Sequence, residues 1–167
     1  FETSSKYESG TRYVPVVNAV ILNDGEFKLQ EGEVVWITGG TRGLGRLTAQ
    51  HLAEKYHVKK FVLHGGTQFP NREDWDNLDL SSDIKNKIEA IRKLETMGVT
   101  IWVTSVSLTD LKLLELEVKR VNSELGNIGL VVHAAGVADE KNPAFIYKTI
   151  EGIFQVLAPK VEGLKNL

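Results

Sequence analysis

Short apolar runs alternate along the chain with segments in which apolar residues recur every three or four positions. The runs are rich in β-branched residues and predict four buried strands, at 33–38, 60–64, 99–104 and 129–136. The recurring apolar residues predict helices, with stripes at Leu44, Leu47, Leu52 and Tyr56, at Ile84, Ile88, Ile91 and Leu94, and at Leu111, Leu114, Val118, Val121 and Leu125. Strands that alternate with helices of this length predict an α/β fold with a parallel sheet.

The starts of the predicted helices carry residues that are typical of helix caps. Residues 81–83 supply caps for the second helix, and Thr109 or Asp110 supplies one for the third. Residues 142 and 143, an Asn-Pro pair, predict the start of a last long helix that reaches about Leu157. Residues 159–167 would begin further helical turns.

Right-handed crossover connections limit the order in which such strands lie in a sheet. We expect the order 3-2-1-4, counted along the chain, which is the N-terminal portion of a Rossmann-like doubly wound sheet. That order leaves the fourth strand at an edge, although this strand is apolar throughout. We therefore expect further strands to cover it, from a missing C-terminal part or from a second chain.

Two segments fall outside the alternating pattern. Residues 1–32 predict a lead-in linker with one edge strand, because Pro15 interrupts the strand-like stretch 12–22. The polar segment 65–83 is longer than an ordinary connection and predicts a surface insertion or lid. We expect Trp75 to hold this segment against the surface. The rest of the chain, 33–167, predicts a single domain.

Composition narrows the class of protein. The 167 residues are 42% hydrophobic, which is enough for a core, and the net charge of −2 gives no basic face of the kind that nucleic acids require. No apolar run approaches the roughly 20 residues of a membrane-spanning helix. The absence of cysteine excludes disulfides and thiolate metal sites. We expect a soluble, cytoplasmic domain without a metal, a nucleic-acid partner or a membrane partner.

Glycines recur where the first predicted strand meets the first helix, with the spacing Gly39-x-x-x-Gly43-x-Gly45. A helix N-terminus presents unpaired N–H groups and the positive end of the helix dipole, so it can hold a pyrophosphate if no side chain blocks the approach. We expect Gly39 to allow a tight turn, Gly43 to allow the close approach of phosphate, and Gly45 to pack the helix on the strand. The alternative is a plain turn with a close helix–strand contact.

The residues around this turn resemble a known superfamily. TGGTRGLG at 38–45 resembles the cofactor turn of short-chain dehydrogenases/reductases, and HAAG at 133–136 resembles that superfamily's second cofactor motif. The segments HAAGVADEKNPAFIYKT and VLAPKVEGLKNL are more similar still to ketoreductase domains of modular polyketide synthases. The resemblance extends over residues 12–167.

This resemblance implies an NADPH-dependent reduction of a β-ketoacyl thioester on an acyl carrier protein to the β-hydroxyacyl thioester, during polyketide biosynthesis. The partners it implies are that carrier protein and neighbouring synthase domains. It makes 33–167 a dinucleotide-binding reductase domain, which we expect to be incomplete at its C-terminus. The cofactor-binding residues it implies are Thr38, Gly39, Gly40, Thr41, Arg42, Gly43, Leu44, Gly45, His64, Gly65, Gly66, Ser105, Val106, His133, Ala134, Ala135 and Gly136.

Lys160 matches the catalytic lysine of the family, because it lies in a PKVEG segment. In that family an ammonium favours the phenolate of a catalytic tyrosine, and a serine hydroxyl supports the developing oxyanion. The family's serine, tyrosine and asparagine follow this lysine, and the chain ends at Leu167, so we expect this chain alone to be inactive. Tyr56 and Lys60 also match a Tyr-x-x-x-Lys spacing, but they lie between a helix and the second strand, away from any catalytic position.

The residues that would select the cofactor depart from the family pattern. The second strand ends without the acid that binds the ribose of NAD, which speaks against NAD. Gly66 stands where polyketide ketoreductases usually have an arginine for the 2′-phosphate of NADPH, and Ser105 stands where they tend to have an aspartate. Arg42 could supply the missing guanidinium, and Arg72 and His64 are weaker candidates.

These departures keep a second function open, a catalytically inactive reductase-like domain that serves as a scaffold within a megasynthase. A free-standing oxidoreductase that acts on sugars or steroids is a third, but NPAFIYKT and APKVEGLKNL argue against it. The stereochemical Leu-Asp-Asp marker of some ketoreductases is here Ala138-Asp139-Glu140, so the sequence assigns no configuration to the product.

Overall fold

The computed structural model describes residues 4–20, 28–76, 79–139 and 144–167. A small antiparallel hairpin, β1 (Lys6–Glu8) and β2 (Thr11–Tyr13), precedes the main sheet. The main sheet contains four parallel strands, β3 (Val34–Thr38), β4 (Lys60–His64), β5 (Thr100–Thr104) and β6 (Ile128–His133). Their order is β5-β4-β3-β6, which confirms the expected order 3-2-1-4 and the α/β class.

Four helices accompany the sheet, α1 (Gly43–Tyr56), α2 (Ser82–Glu95), α3 (Leu111–Glu124) and α4 (Ile150–Asn166). Two single 3₁₀ turns lie at Arg72–Asp74 and Phe145–Tyr147. The predicted caps are confirmed for two of the helices, because the side chains of Ser81 and Asp110 accept backbone amides at the starts of α2 and α3. Such caps satisfy amide groups that the helix itself leaves unpaired.

Alternation along the strands divides the core between the two faces of the sheet. One cluster contains Val35, Ile37, Phe61, Leu63 and Ile101, and it packs against apolar residues of α1 and α2. The other cluster joins Val34, Trp36 and Val62 to Leu114 and Val121 of α3. Burial on both faces is why these strands are continuous apolar runs in the sequence.

The N-terminal segment differs from its prediction. The expected edge strand within 12–22 is a strand only as far as Tyr13, and it pairs with β1 rather than with the main sheet. Residues 14–20 form no strand, and they are exposed. Pro15 lacks the N–H that a strand ladder needs, which accounts for the early end of β2. Residues 21 and 22 lie outside the described residues.

The last helix is longer than predicted. Residues 142 and 143, its expected start, lie outside the described residues, as does Glu140. In the described part, α4 begins after Thr149, whose hydroxyl accepts the Gly152 amide at 3.0 Å. The helix then continues through Pro159 to Asn166, so it includes the further turns that were predicted after Leu157. It therefore carries residues 158–160 as part of one rigid element.

The polar segment after β4 is held against the sheet by Trp75, as predicted. The Trp75 side chain is buried, and its indole N–H donates to the carbonyl of Pro70 at 3.1 Å. The guanidinium of Arg72 lies over the ring, 4.4 Å from its centroid. Because the ring joins the cluster of α1 and α2, this part of the segment is packed rather than free.

Candidate functional site

A cleft of about 720 Å³ opens at the carboxyl ends of the parallel strands. The turns after β3, β4, β5 and β6 line it, together with the first turn of α1 and the middle of α4. The chain runs from β3 outward to β4 and β5, and then returns to place β6 on the other side of β3. The cleft therefore lies at the point where the strand order reverses, which is where open α/β sheets bind ligands.

The glycine turn brings main chain, rather than side chains, to the floor of this cleft. Gly39 has a φ of 69°, and a Cβ there would lie 2.6 Å from the carbonyl oxygen of Ala134. A Cβ on Gly45 would lie 2.4 Å from the Gly39 carbonyl oxygen. Gly43 has space around it, because no atom lies within 4 Å of its would-be Cβ. Two glycines thus serve close packing, and Gly43 leaves the approach to the helix open.

The N-terminus of α1 points its first amides at this opening. Arg42 is the N-cap residue, and no side chain of the described residues caps the helix. This contrasts with α2, α3 and α4, whose caps are Ser81, Asp110 and Thr149. The uncapped end leaves unpaired N–H groups and the positive end of the helix dipole beside the cleft, a combination that binds anions.

Thr38 joins β3 to the turn after β6 and does not line the cleft. Its Oγ1 accepts the amides of Ala134 and Ala135, each at 3.1 Å. The hydroxyl hydrogen is therefore directed to Nδ1 of His133, 2.8 Å away. Nδ1 of His133 is thus the acceptor, and Nε2 of the same ring is buried without a partner among the described residues. Thr38 and His133 position the turn that does line the cleft.

His64 ends β4 and is buried beside the cleft. Its Nε2 donates to the carbonyl of Val106 at 2.6 Å, which connects the turns after β4 and β5. Burial lowers the pKa of His64 below its usual 6.5, and the hydrogen bond to Val106 opposes this only in part. The side chain is therefore a neutral structural link near neutral pH.

Most of the residues predicted from the sequence line one cavity. The residues that do so are Gly39, Thr41, Arg42, Gly43, Leu44, Gly45, His64, Gly65, Gly66, Ser105, Val106, Ala134, Ala135 and Gly136. Thr38 and His133 lie behind this lining, as does Gly40, whose amide donates to the carbonyl of His64 at 2.9 Å. The cavity also includes residues that the sequence analysis did not assign to the site, namely Thr67, Lys87, Ser107, Leu108, Thr109, Val137, Ala158 and Pro159.

One of these missed residues, Lys87, had a signal in the sequence. It lies three positions after Ile84 and four before Ile91, and so it lies on the apolar face of α2. In the structure it is almost fully buried, with 6% of its surface exposed. A lysine on the buried face of a helix needs partners for its ammonium, since lysines are rarely buried without a partner.

Lys160 lies at the rim of the cleft on α4. Its ammonium donates to the carbonyls of Val137, at 3.1 Å, and Val156, at 3.0 Å. A Cβ on Gly136 would lie 3.7 Å from its Nζ. The ammonium is thus anchored beside the HAAG turn, at the end of the cleft that is formed by β6 and α4.

Within the described residues there is no group of three or more His, Asp or Glu side chains arranged to hold a metal ion. None of the helices in those parts of the chain is long and apolar enough to cross a membrane.

Residues 33–167 match the model of the KR domain family. The chain belongs to this family. Polyketide synthase PksL of Bacillus subtilis (strain 168) is 41% identical over 170 residues, which cover 99% of this chain. The chain spans only about 4% of the length of PksL, so the relative is a far longer polypeptide in which this region is one part.

Two solved structures show the same fold. An N-terminal ketoreductase from the macrolactin assembly line is 26% identical, with a TM-score of 0.68, over 94% of this chain and 28% of its own. A short-chain dehydrogenase from Mycobacterium paratuberculosis bound to NAD is 27% identical, with a TM-score of 0.58, over 81% of this chain and 48% of its own. The chain is therefore a ketoreductase-type, Rossmann-like domain of the short-chain dehydrogenase/reductase superfamily, a fold that binds nicotinamide cofactors.

Proposed function

We propose that this domain uses NADPH to reduce a β-ketoacyl thioester on an acyl carrier protein to the β-hydroxyacyl thioester, as one step of polyketide assembly. The observation that carries the proposal is the uncapped N-terminus of α1, which opens onto a glycine-lined cleft at the strand-order reversal. Membership of the KR domain family and the similarity to a polyketide synthase support the substrate class.

The residues of the cleft fit a dinucleotide. The contacts of Gly39 and Gly45 leave no room for a side chain at either position, and Gly43 leaves the α1 amides accessible to a pyrophosphate. The turns after β4 and β5, with Gly65, Gly66 and Val106, would take the adenosine end. The turn at 134–136 would take the nicotinamide end, where the cofactor supplies the hydride.

Lys160 would act on the proton that accompanies the hydride. Its ammonium is fixed beside Gly136 by two carbonyls, so it supplies a localised positive charge at that end of the cleft. A tyrosine hydroxyl brought next to this charge would become more acidic, because the ammonium stabilises the phenolate. That hydroxyl would then give its proton to the carbonyl oxygen of the substrate.

A scaffold without catalysis is the second candidate, and a specific observation favours it. The loop after β4 carries no charged side chain at positions 64–67, and position 105 is a serine rather than an acid. If these departures abolish binding of the nicotinamide cofactor, the domain contributes only structure to the larger protein.

Cofactor binding by the full-length protein decides between the two. Nicotinamide fluorescence would follow the titration with NADPH, for the natural sequence and for Gly43→Leu. The leucine side chain would cover the α1 amides, and the positive φ of this position would strain the turn. We expect the affinity for NADPH to fall by at least about tenfold, which corresponds to the loss of roughly one hydrogen bond to a charged group.

Gly98→Leu is the matched control for this test. Gly98 has a φ of 74°, close to the 53° of Gly43, and each has no atom within 4 Å of its would-be Cβ. Gly98 follows α2, away from the cleft, so its variant carries the same kind of backbone strain with no effect on binding. Unchanged affinity in Gly43→Leu would refute the phosphate position, and no binding by the natural sequence would favour the scaffold.

A further inference from the structure

Lys87 is a buried cation of helix α2. It lies on α2 and lines the cleft, and its side chain is 7% exposed. Transferring an ammonium from water into the protein is costly unless it is paired. An apolar residue at this position of the α2 stripe would pack without that cost, so the charge indicates a ligand rather than a role in packing.

The known partners of Lys87 leave part of its donor capacity unused. The ammonium donates to Oδ2 of Asp83 at 2.5 Å and to Oγ1 of Thr67 at a longer 3.5 Å. An ammonium has three N–H donors, and no third partner lies among the described residues. Asp83 is largely exposed at 68%, and its carboxylate can turn toward water when an anion approaches the ammonium.

The position of this ammonium matches one subsite of a dinucleotide. Thr67 follows the carboxyl end of β4, where Rossmann folds place the ribose of the adenosine half. At that end an acid selects the 2′-hydroxyl of NAD, and a cation selects the 2′-phosphate of NADPH. Gly66 leaves open space here, since nothing lies within 4 Å of its would-be Cβ.

Arg42 is the other cation of the cleft, but it lies elsewhere. It is exposed and precedes the first residue of α1, and its side chain contacts no described residue by hydrogen bond or ion pair. Its position beside the α1 amides belongs to the pyrophosphate part of the cleft. Lys87, by contrast, is held by Thr67 in the loop that follows β4.

We propose that Lys87 recognises the 2′-phosphate of NADPH and so sets the preference of the domain for NADPH over NADH. The ammonium reaches the ribose subsite from α2, through the space that Gly66 leaves open. This inference rests on the proposed function, because it assumes that the cleft binds a nicotinamide dinucleotide.

The test measures equilibrium binding of NADPH and NADH to the full-length protein by nicotinamide fluorescence. Lys87→Met keeps most of the side-chain volume and removes the charge. We expect its dissociation constant for NADPH to rise about ten- to a hundredfold, the value of a hydrogen bond to a charged group, with little change for NADH. Lys87→Arg should keep the preference for NADPH.

Lys93→Met is the matched control, because Lys93 is an exposed lysine on the same helix, away from this cleft. One further variant does not depend on the folding of Lys87→Met, and a second one shows whether the Lys87→Met background is folded. Asp83→Asn removes the carboxylate that competes with the phosphate for the Lys87 ammonium. The binding of NADPH should become tighter, with no effect on the binding of NADH. Gly66→Arg, added to Lys87→Met, should restore the preference for NADPH from the other side of the same subsite.

The outcomes separate this inference from the proposed function. Suppose that the natural sequence binds NADPH tightly, and that Lys87→Met weakens the binding of NADPH and NADH equally or changes neither. The proposed role of Lys87 is then overturned, and the proposed function stands. If Asp83→Asn weakens NADH, Asp83 is the ribose ligand, and the inference is also overturned. If the natural sequence binds neither dinucleotide, both proposals fall together.

Discussion

The centre and the two ends of the cleft are built from different materials. The centre consists of main chain, since Gly39, Gly43 and Gly45 bring amides and carbonyls to the surface of the turn. The ends depend on lysines of two helices, with Lys87 of α2 in the lining of the cleft and Lys160 of α4 at its rim. A main-chain site is specified by a few consecutive residues, whereas a charged end depends on helices that are distant in sequence.

The largest effect is expected at the centre, from Gly45→Val. A Cβ there would come within 2.4 Å of the Gly39 carbonyl, which is backbone and cannot move without opening the turn. We expect a loss of local stability of about 3 kcal/mol, the upper range for overpacking, together with loss of NADPH binding. Hydrogen exchange of the β3–α1 peptide in the full-length protein measures the first effect, and fluorescence titration measures the second.

Gly66→Ala is the control for this variant. Gly66 lines the same cleft, but it is exposed and nothing lies within 4 Å of its would-be Cβ. We expect its exchange protection to change by less than about 0.5 kcal/mol. Equal effects of the two substitutions would show that the close contact of Gly45 with the turn is not what holds the centre of the cleft together.

The sequence was enough to place the glycine turn but not Lys87, and the reason is locality. Strand, glycine turn and helix are consecutive, so the apolar run up to Thr38 and the spacing of three glycines were enough to place the turn. Lys87 was missed because its relation to Thr67 depends on how α2 packs against the sheet, 20 residues later in the chain. Only its place on an apolar helix face pointed to it.

Other differences have equally specific causes. Pro15 was correctly taken as a strand breaker, but the pairing of β2 with β1 depends on a turn at Ser9 and Gly10 that no periodicity marks. The last helix was predicted to reach about Leu157, yet α4 continues through Pro159 to Asn166. The packing of Gly163 against Leu108 and a hydrogen bond from Asn166 to the Leu108 carbonyl hold the last turns in place.

At the nicotinamide end we expect a smaller effect than at the centre, and one confined to catalysis. Lys160→Met removes the ammonium beside Gly136 but no contact of the α1 turn. The rate of ketoreduction on a β-ketoacyl carrier-protein substrate should fall roughly a hundredfold, the lower range for assisted proton transfer. The dissociation constant for NADPH should stay within about threefold, well below the tenfold that one charged hydrogen bond accounts for.

Lys165→Met is the control for Lys160→Met, because Lys165 lies on the same helix and away from the cleft. A fall in both rate and NADPH affinity for Lys160→Met would mean that Lys160 holds the cofactor. An unchanged rate would remove it from the catalytic set.

The smallest effect that we expect is a dependence of stability on pH, through His64 at the end of β4. Burial holds the pKa of His64 below 6.5, so the unfolded form of this region binds a proton more readily than the folded form. The stability that His64 contributes is thus fully present above about pH 6.5 and is lost as the pH falls from there through the lower, folded pKa. Acid should therefore loosen the link from His64 to Val106, and with it the proposed adenosine end of the cleft.

Hydrogen exchange of the peptides around β4 and β5 measures this loosening. Comparing the natural sequence with His64→Gln at the same pH removes the intrinsic pH dependence of exchange. The natural sequence should lose protection on acidification more steeply than His64→Gln, whereas His51→Gln, at an exposed histidine of α1, should retain the natural slope. Identical slopes for all three proteins would mean that the proton taken up on acidification binds elsewhere, and that the adenosine end is as insensitive to acid as the main-chain centre.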